Sequence, residues 1–213
     1  MGSIERRVNS RHGEKISNAR FSTFTGDNVT LKNFKDKSDR YTNHVVSVHG
    51  AFIPDAPMKS YFLFLDDKGD ESKYTLEDMI GDEELIFKNS HLFWAGACKL
   101  GMSAATDGKD IIGLVRTLMQ KGIPSVVMGL TNLDDTATAL LLDNFCRVYD
   151  GKNKANGLSE AVRQLRKCTL GDLAKKTGVS IDKLKHDFNA QSDEFIFDNP
   201  YFWMPFVLYE DFR

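Results

Sequence analysis

Short, uninterrupted apolar runs mark out the pattern of this chain. Phe93-Trp94-Ala95-Gly96-Ala97-Cys98-Lys99-Leu100-Gly101 stays apolar up to a cysteine and then breaks into glycine. Val45-Val46-Ser47-Val48 is a second run, and it ends at His49-Gly50. Runs of this length without helical periodicity predict strands buried on both faces, as in a parallel sheet. A third run, Ser125-Val126-Val127-Met128-Gly129-Leu130, predicts another such strand.

The segments between these runs predict the rest of the framework. Arg20–Phe24 alternates weakly, as a short edge strand does, and Asp27 or Asn28 can cap a helix carrying Leu31 and Phe34. Pro54 and Pro57 forbid regular structure after His49, whereas Tyr61–Leu65 is strongly β-prone and closes at the turn Asp66-Asp67-Lys68-Gly69. Thr75 and Asp78 have the spacing of a capping box and predict a short helix. Ile111, Ile112, Leu114, Val115, Leu118 and Met119 form a helical stripe that stops at Gly122. Asp134-Asp135 precedes a helix carrying Ala137, Leu140, Leu141, Phe145 and Val148, and another helix follows over about 154–167.

Residues 169–180 have the local look of a helix-turn-helix with Gly178 at the turn, but Asp172, Asp182 and Asp187 interrupt the basic residues, so a packed two-helix insertion is expected. The chain closes with an aromatic strand over 199–209. Alternation of strand and helix beyond residue 98 favours crossover connections, and the fold class expected is α/β with a mostly parallel sheet.

At 213 residues the chain reads as one domain with a substantial core. Residues 1–18 are polar and basic and read as a flexible arm or linker remnant, which leaves 19–213 as the folded domain. Met1-Gly2-Ser3 resembles a cloning scar, and no signal-peptide core follows it. The formal net charge of -2 gives no nucleic-acid footprint. No apolar run is long enough to span a membrane. Three cysteines without a CxxC pair argue against a zinc site and a disulfide framework. The reading is a cytoplasmic protein that needs no metal or cofactor.

Two parallel strands that end in His-Gly and in Cys bring a base and a thiol to one sheet edge. Thiol attack on an amide needs this pairing. Cys98 is the candidate nucleophile and His49 the candidate acid/base, and no third carboxylate stands beside His49 in the sequence. On its own, Cys98 would read as a small buried hydrophobe, the commonest role of a free cysteine. Cys146 and Cys168 lie in helical contexts and keep that core reading; His12, His44, His91 and His186 receive no role.

With these residues in place, the chain resembles the CHAT domain, a caspase-like and separase-like cysteine peptidase family of clan CD. Four stretches from Phe21 onward carry the resemblance: Val46–Gly50, Gly96–Gly101, Val126–Leu130 with Leu133–Thr138, and Asn199–Trp203 with Phe206–Leu208. Two positions depart from the family pattern: Gly96 stands where a serine is usual and Thr131 where a tryptophan is usual. The resemblance implies a caspase-like, three-layer sheet flanked by helices. It also implies an oxyanion hole from the backbone N–H groups of Gly50 and Cys98.

By the same resemblance, Asp135 in the Leu133-Asp134-Asp135 loop faces a basic P1 residue. Either Asp134 or Asp135 can instead cap the helix that follows, and Asp134 is the better cap. The family's first strand and helix are not found ahead of Phe21, so the chain is expected to be the C-terminal portion of a larger protein.

The function expected is an intracellular endopeptidase that cleaves a protein or peptide substrate. By family association it is switched on by a sensor or repeat domain on the same or another chain, in bacteria often within antiviral defence or CRISPR-associated systems. Neither direct nucleic-acid binding nor membrane binding is expected. The alternative is a catalytically silent CHAT-like interaction scaffold. A doubly wound nucleotide-binding domain is disfavoured because no glycine-rich phosphate loop follows any strand.

Overall fold

The computed structural model describes residues 22–96 and 111–210. These fall into two compact units. One takes in Phe24–Leu133 together with the chain from Pro205 onward, and the other Asp134–Met204.

The first unit holds every named strand: β1 (Asn43–Val46), β2 (Gly50–Ala51), β3 (Tyr61–Leu65), β4 (Glu71–Thr75), β5 (Leu92–Ala95), β6 (Ser125–Gly129) and β7 (Phe206–Glu210). Four of them form one sheet in the order β1-β5-β6-β7. The β1/β5 and β5/β6 pairs are parallel and the β6/β7 pair antiparallel, so the molecule is mixed α/β with a mostly parallel sheet. Among the described residues the strands pair in unbroken succession, with β1 at one border. Every residue of β5 and β6 is buried, as their uninterrupted apolar sequences require.

A parallel pair needs a long crossover, and helix α3 (Ile111–Gln120) lies on the connection from β5 to β6. Leu114, Val115 and Leu118 of α3 join Val46, Phe93 and Met128 of the sheet in one core. Gly122 ends the α3 segment at φ 108°, where a Cβ would stand 3.0 Å from the Phe87 carbonyl oxygen. Only glycine fits that approach.

The connection from β1 to β5 is an excursion built as a second, antiparallel sheet, β2-β3-β4. Asp66 organises the β3–β4 turn by accepting from the N–H groups of Lys68 and Asp70. Phe62, Phe64 and Tyr74 face inward from this sheet and are nearly inaccessible. Helix α2 (Leu76–Gly81) follows β4 directly and starts with the expected capping box of Thr75 and Asp78. Helix α1 (Leu31–Lys37) stacks Phe34 on Phe64 at 5.1 Å between ring centroids. Its cap is Thr30 rather than Asp27 or Asn28, which lie in a preceding 3-10 turn. Residues 22–25 carry no strand.

The second unit is helical: α4 (Asp135–Val148), α5 (Lys154–Arg166), α6 (Leu170–Thr177) and α7 (Ile181–Phe188). The last two are the two-helix element read from the sequence. Thr169 and Asp172 form a capping box, Gly178 turns the chain at φ 70°, and Ser180 caps α7. Leu173, Thr177 and Leu184 bury the contact faces. The Lys176 ammonium ties α6 to α4 through the Asn144 amide oxygen at 3.1 Å. The aromatic stretch that follows is only partly strand. Pro200–Phe202 is a 3-10 turn, and strand pairing begins at Phe206, because Pro200 and Pro205 lack the N–H a ladder needs.

His44 of β1 is a half-buried histidine set against the core aromatics. It sits edge-on to Phe87 at 5.0 Å, and its Nε2 lies 2.8 Å from the Ser90 hydroxyl and 3.0 Å from the Tyr41 carbonyl oxygen. Burial pulls its pKa down to about 4. The folded state therefore refuses a proton that the unfolded chain accepts near pH 6.5, and stability falls as pH drops from there toward 4. The expected slope in that window approaches 1.4 kcal/mol per pH unit for this group. His44→Phe should flatten the fall in thermal unfolding temperature between pH 6.5 and 5; an unchanged slope would contradict the assignment.

Candidate active site

The β1/β5 pairing sets Asn43, His44, Val45 and Val46 against Leu92, Phe93, Trp94 and Ala95, a constant offset of 49 residues. The Gly96 N–H donates to the Val46 carbonyl at 2.9 Å, so the contact continues one step past the strands. Ser47 is the neighbour at that step: a Cβ placed on Gly96 would meet its Cβ and Oγ at 3.4 Å. Val46 and Val48 pack on the core, while Ser47 and His49 are exposed.

The strand expected over 45–48 ends two residues early, at Val46. Beyond it the backbone is captured by β3. The His49 carbonyl accepts from the Leu63 N–H at 2.7 Å, and Gly50 and Ala51 pair with Phe62 and Tyr61. His49 therefore sits where the chain passes from the parallel sheet to the antiparallel one. Because the hydrogen bond joins positions 49 and 63, the next pair, Gly50 with Phe62, is a non-hydrogen-bonded pair. The N–H of Gly50 consequently turns away from β3. An oxyanion donor needs that freedom.

Cys98, the candidate nucleophile and second oxyanion donor, lies outside the described residues. Asp134 and Asp135 belong to the other unit, and their roles separate. The Asp134 carboxylate caps α4 by accepting from the Ala137 N–H at 2.8 Å. Asp135 is exposed in the first turn, and among the described residues its side chain makes no hydrogen bond or ion pair. Thr131, at the family's tryptophan position, is exposed. Burial raises the thiol pKa of Cys146 to about 11 and also raises that of Cys168; Cys168 is buried as the core reading expects, whereas Cys146 is only half-buried.

Ser47 is the neighbour that sequence reasoning passed over. Equal spacing was its signal: Ser47 precedes His49 by the same two residues that separate Gly96 from Cys98.

Among the described residues no group of three or more His, Cys, Asp or Glu could hold a metal ion, and no helix is long and apolar enough to cross a membrane. The CHAT domain family model matches residues 4–211, nearly the whole chain and including most of the segment read as an arm. No curated protein matches the sequence.

The contact at Gly96 predicts how the departure at that position behaves. A Cβ there meets Ser47 at an ordinary van der Waals distance, so Gly96→Ser should leave the thermal unfolding midpoint within about 3 °C of the parent, an effect below about 0.5 kcal/mol. A larger drop would mean that Ser47 and Gly96 pack more tightly than this geometry allows.

Proposed function

The chain belongs to the CHAT domain family, and from that premise we propose that it is a cysteine endopeptidase working through a His49–Cys98 dyad on a protein or peptide substrate. The observation that supports this most is the register of β1 against β5. The observed pairs run from Asn43–Leu92 to Val46–Ala95, and a chain continued at that offset of 49 would set His49 opposite Cys98. Residues directly opposite in a parallel pair share a face of the sheet, about 5 Å apart at their Cα atoms, and that is the placement the proposed dyad requires.

In the reaction, His49 takes the proton of Cys98 and the sulfur attacks the scissile carbonyl carbon. The oxyanion is held by the backbone N–H groups of Gly50 and Cys98. Collapse of the tetrahedral species breaks the C–N bond, and His49 returns the proton to the leaving amine. Water, deprotonated by the same imidazole, then hydrolyses the thioester.

Asp135, released from capping by Asp134, is the carboxylate for a basic P1 side chain, ideally an arginine bound through two parallel hydrogen bonds. Activation by a sensor or repeat domain, in a defence system, belongs to the same proposal and rests on family association alone.

Cys98→Ala and His49→Ala should each lower kcat/KM for a cleaved peptide on the order of 1,000-fold or more. Iodoacetamide at pH 7 should label Cys98 in the folded protein well ahead of the buried Cys168 and the half-buried Cys146, whose thiol pKa burial raises to about 11. Cleavage that survives Cys98→Ala would overturn the peptidase reading.

A further inference from the structure

The excursion β2-β3-β4 has an inward face packed on the core and an outward face of different character. Tyr61 and Leu63 alternate with the buried Phe62 and Phe64, so their side chains point outward and are half-buried. Lys73 stands outward between Ser72 and the buried Tyr74 and is exposed. The pairings align these residues in cross-strand rows. His49 lies opposite Leu63 through the hydrogen bond between them, and Leu63 lies opposite Lys73. Ala51 lies opposite Tyr61 in the neighbouring row. The row that begins at the proposed catalytic histidine thus runs over a leucine and ends at a lysine.

Size and charge along this row describe a shallow site. Ala51, two residues after His49 on the same strand side, contributes only a methyl group, and Leu63 supplies an apolar floor. The Lys73 ammonium is held 4.6 Å from the Tyr61 ring centroid, a cation–π contact that keeps it over the face. Glu71, the other charged residue of β4 on this face, lies opposite Leu65, a row further from His49. Two strand spacings separate His49 from Lys73, about 10 Å, the length of about three extended residues.

We propose that this outward face is the subsite for the leaving-amine side of the substrate. It would take an apolar side chain against Leu63 and Tyr61 and an acidic side chain on Lys73 within the first three residues after the scissile bond. The inference rests on the peptidase reading, because His49 delivers the proton to the leaving amine and that side of the peptide must pass it. The complement to a lysine beside an apolar floor is a carboxylate, and the continuity of the row with His49 assigns the occupant to the substrate.

The test is a library of peptides randomised on both sides of a central segment, digested by the full chain and read by mass spectrometry. Glu/Gln pairs of one selected peptide are then used for kcat/KM. The parent should prefer Glu over Gln at one of the three positions by about two- to fivefold, the range for a solvent-exposed ion pair, and the preference should shrink as salt is raised. Lys73→Met should bring the ratio to one, and Lys73→Glu should invert it; being a ratio within each variant, it is insensitive to differences in folded fraction. Cys98-dependent cleavage with the same Glu/Gln ratio in parent and Lys73→Glu would overturn the subsite and leave the peptidase reading standing. Absence of Cys98-dependent cleavage would overturn both.

Discussion

β5 is buried on both faces, and the placement of every group near the candidate site depends on that burial. Leu92, Phe93, Trp94 and Ala95 are each at most 4% exposed. Phe93 and Ala95 serve the core shared with α3 and the excursion sheet, while Trp94 turns to the opposite face, where it packs near Phe206 at 5.9 Å. A one-residue slip would exchange these faces and set Trp94 into a space shaped for Phe93. The register against β1 is fixed for the same reason: Val46 must share the Ala95 face to reach the core. A packing constraint thereby decides which residue of one strand end lies beside which residue of the other.

The excursion between β1 and β5 converts this register into a site with two surroundings. At Ser47 the backbone still touches the parallel sheet through Gly96, and at His49 it is already bound to β3. His49 is held by its own carbonyl on Leu63, which leaves its imidazole exposed and the following N–H turned away from the ladder. A histidine placed at such a junction can face a substrate from two directions. The end of β5 borders one of them and the outward face of β2-β3-β4 the other.

Much of this was legible in the residues. β5 and β6 announce themselves as apolar runs with no polar face, and Thr75 with Asp78 gives the start of α2 because a capping box is a local chemical motif. The division of labour between Asp134 and Asp135 was half legible: both can cap, and the hydrogen bond to Ala137 selects the first.

What could not be read depends on partners distant in sequence. Val48 has the same strand propensity as Val45 and Val46, and the competing ladder with β3 ends β1 before it. Thr30 outcompetes Asp27 and Asn28 as a cap because those two are taken into a 3-10 turn. The burial of His44 depends on Phe87 and Ser90, more than forty residues away.

The central proposal is that the chain beyond β1 and β5 keeps their offset of 49, which would set His49 opposite Cys98. A His49→Cys variant, with Cys146 and Cys168 replaced by serine, tests it without a substrate. Opposite residues of parallel strands stand about 5 Å apart, within the about 4.4–6.8 Å between Cα atoms that a disulfide spans. Mild oxidation of the folded monomer should form an intramolecular bond between positions 49 and 98, seen by peptide mapping as one cross-linked pair. Two free thiols under conditions that oxidise a model dithiol, or cross-links only between molecules, would contradict the register and the dyad built on it.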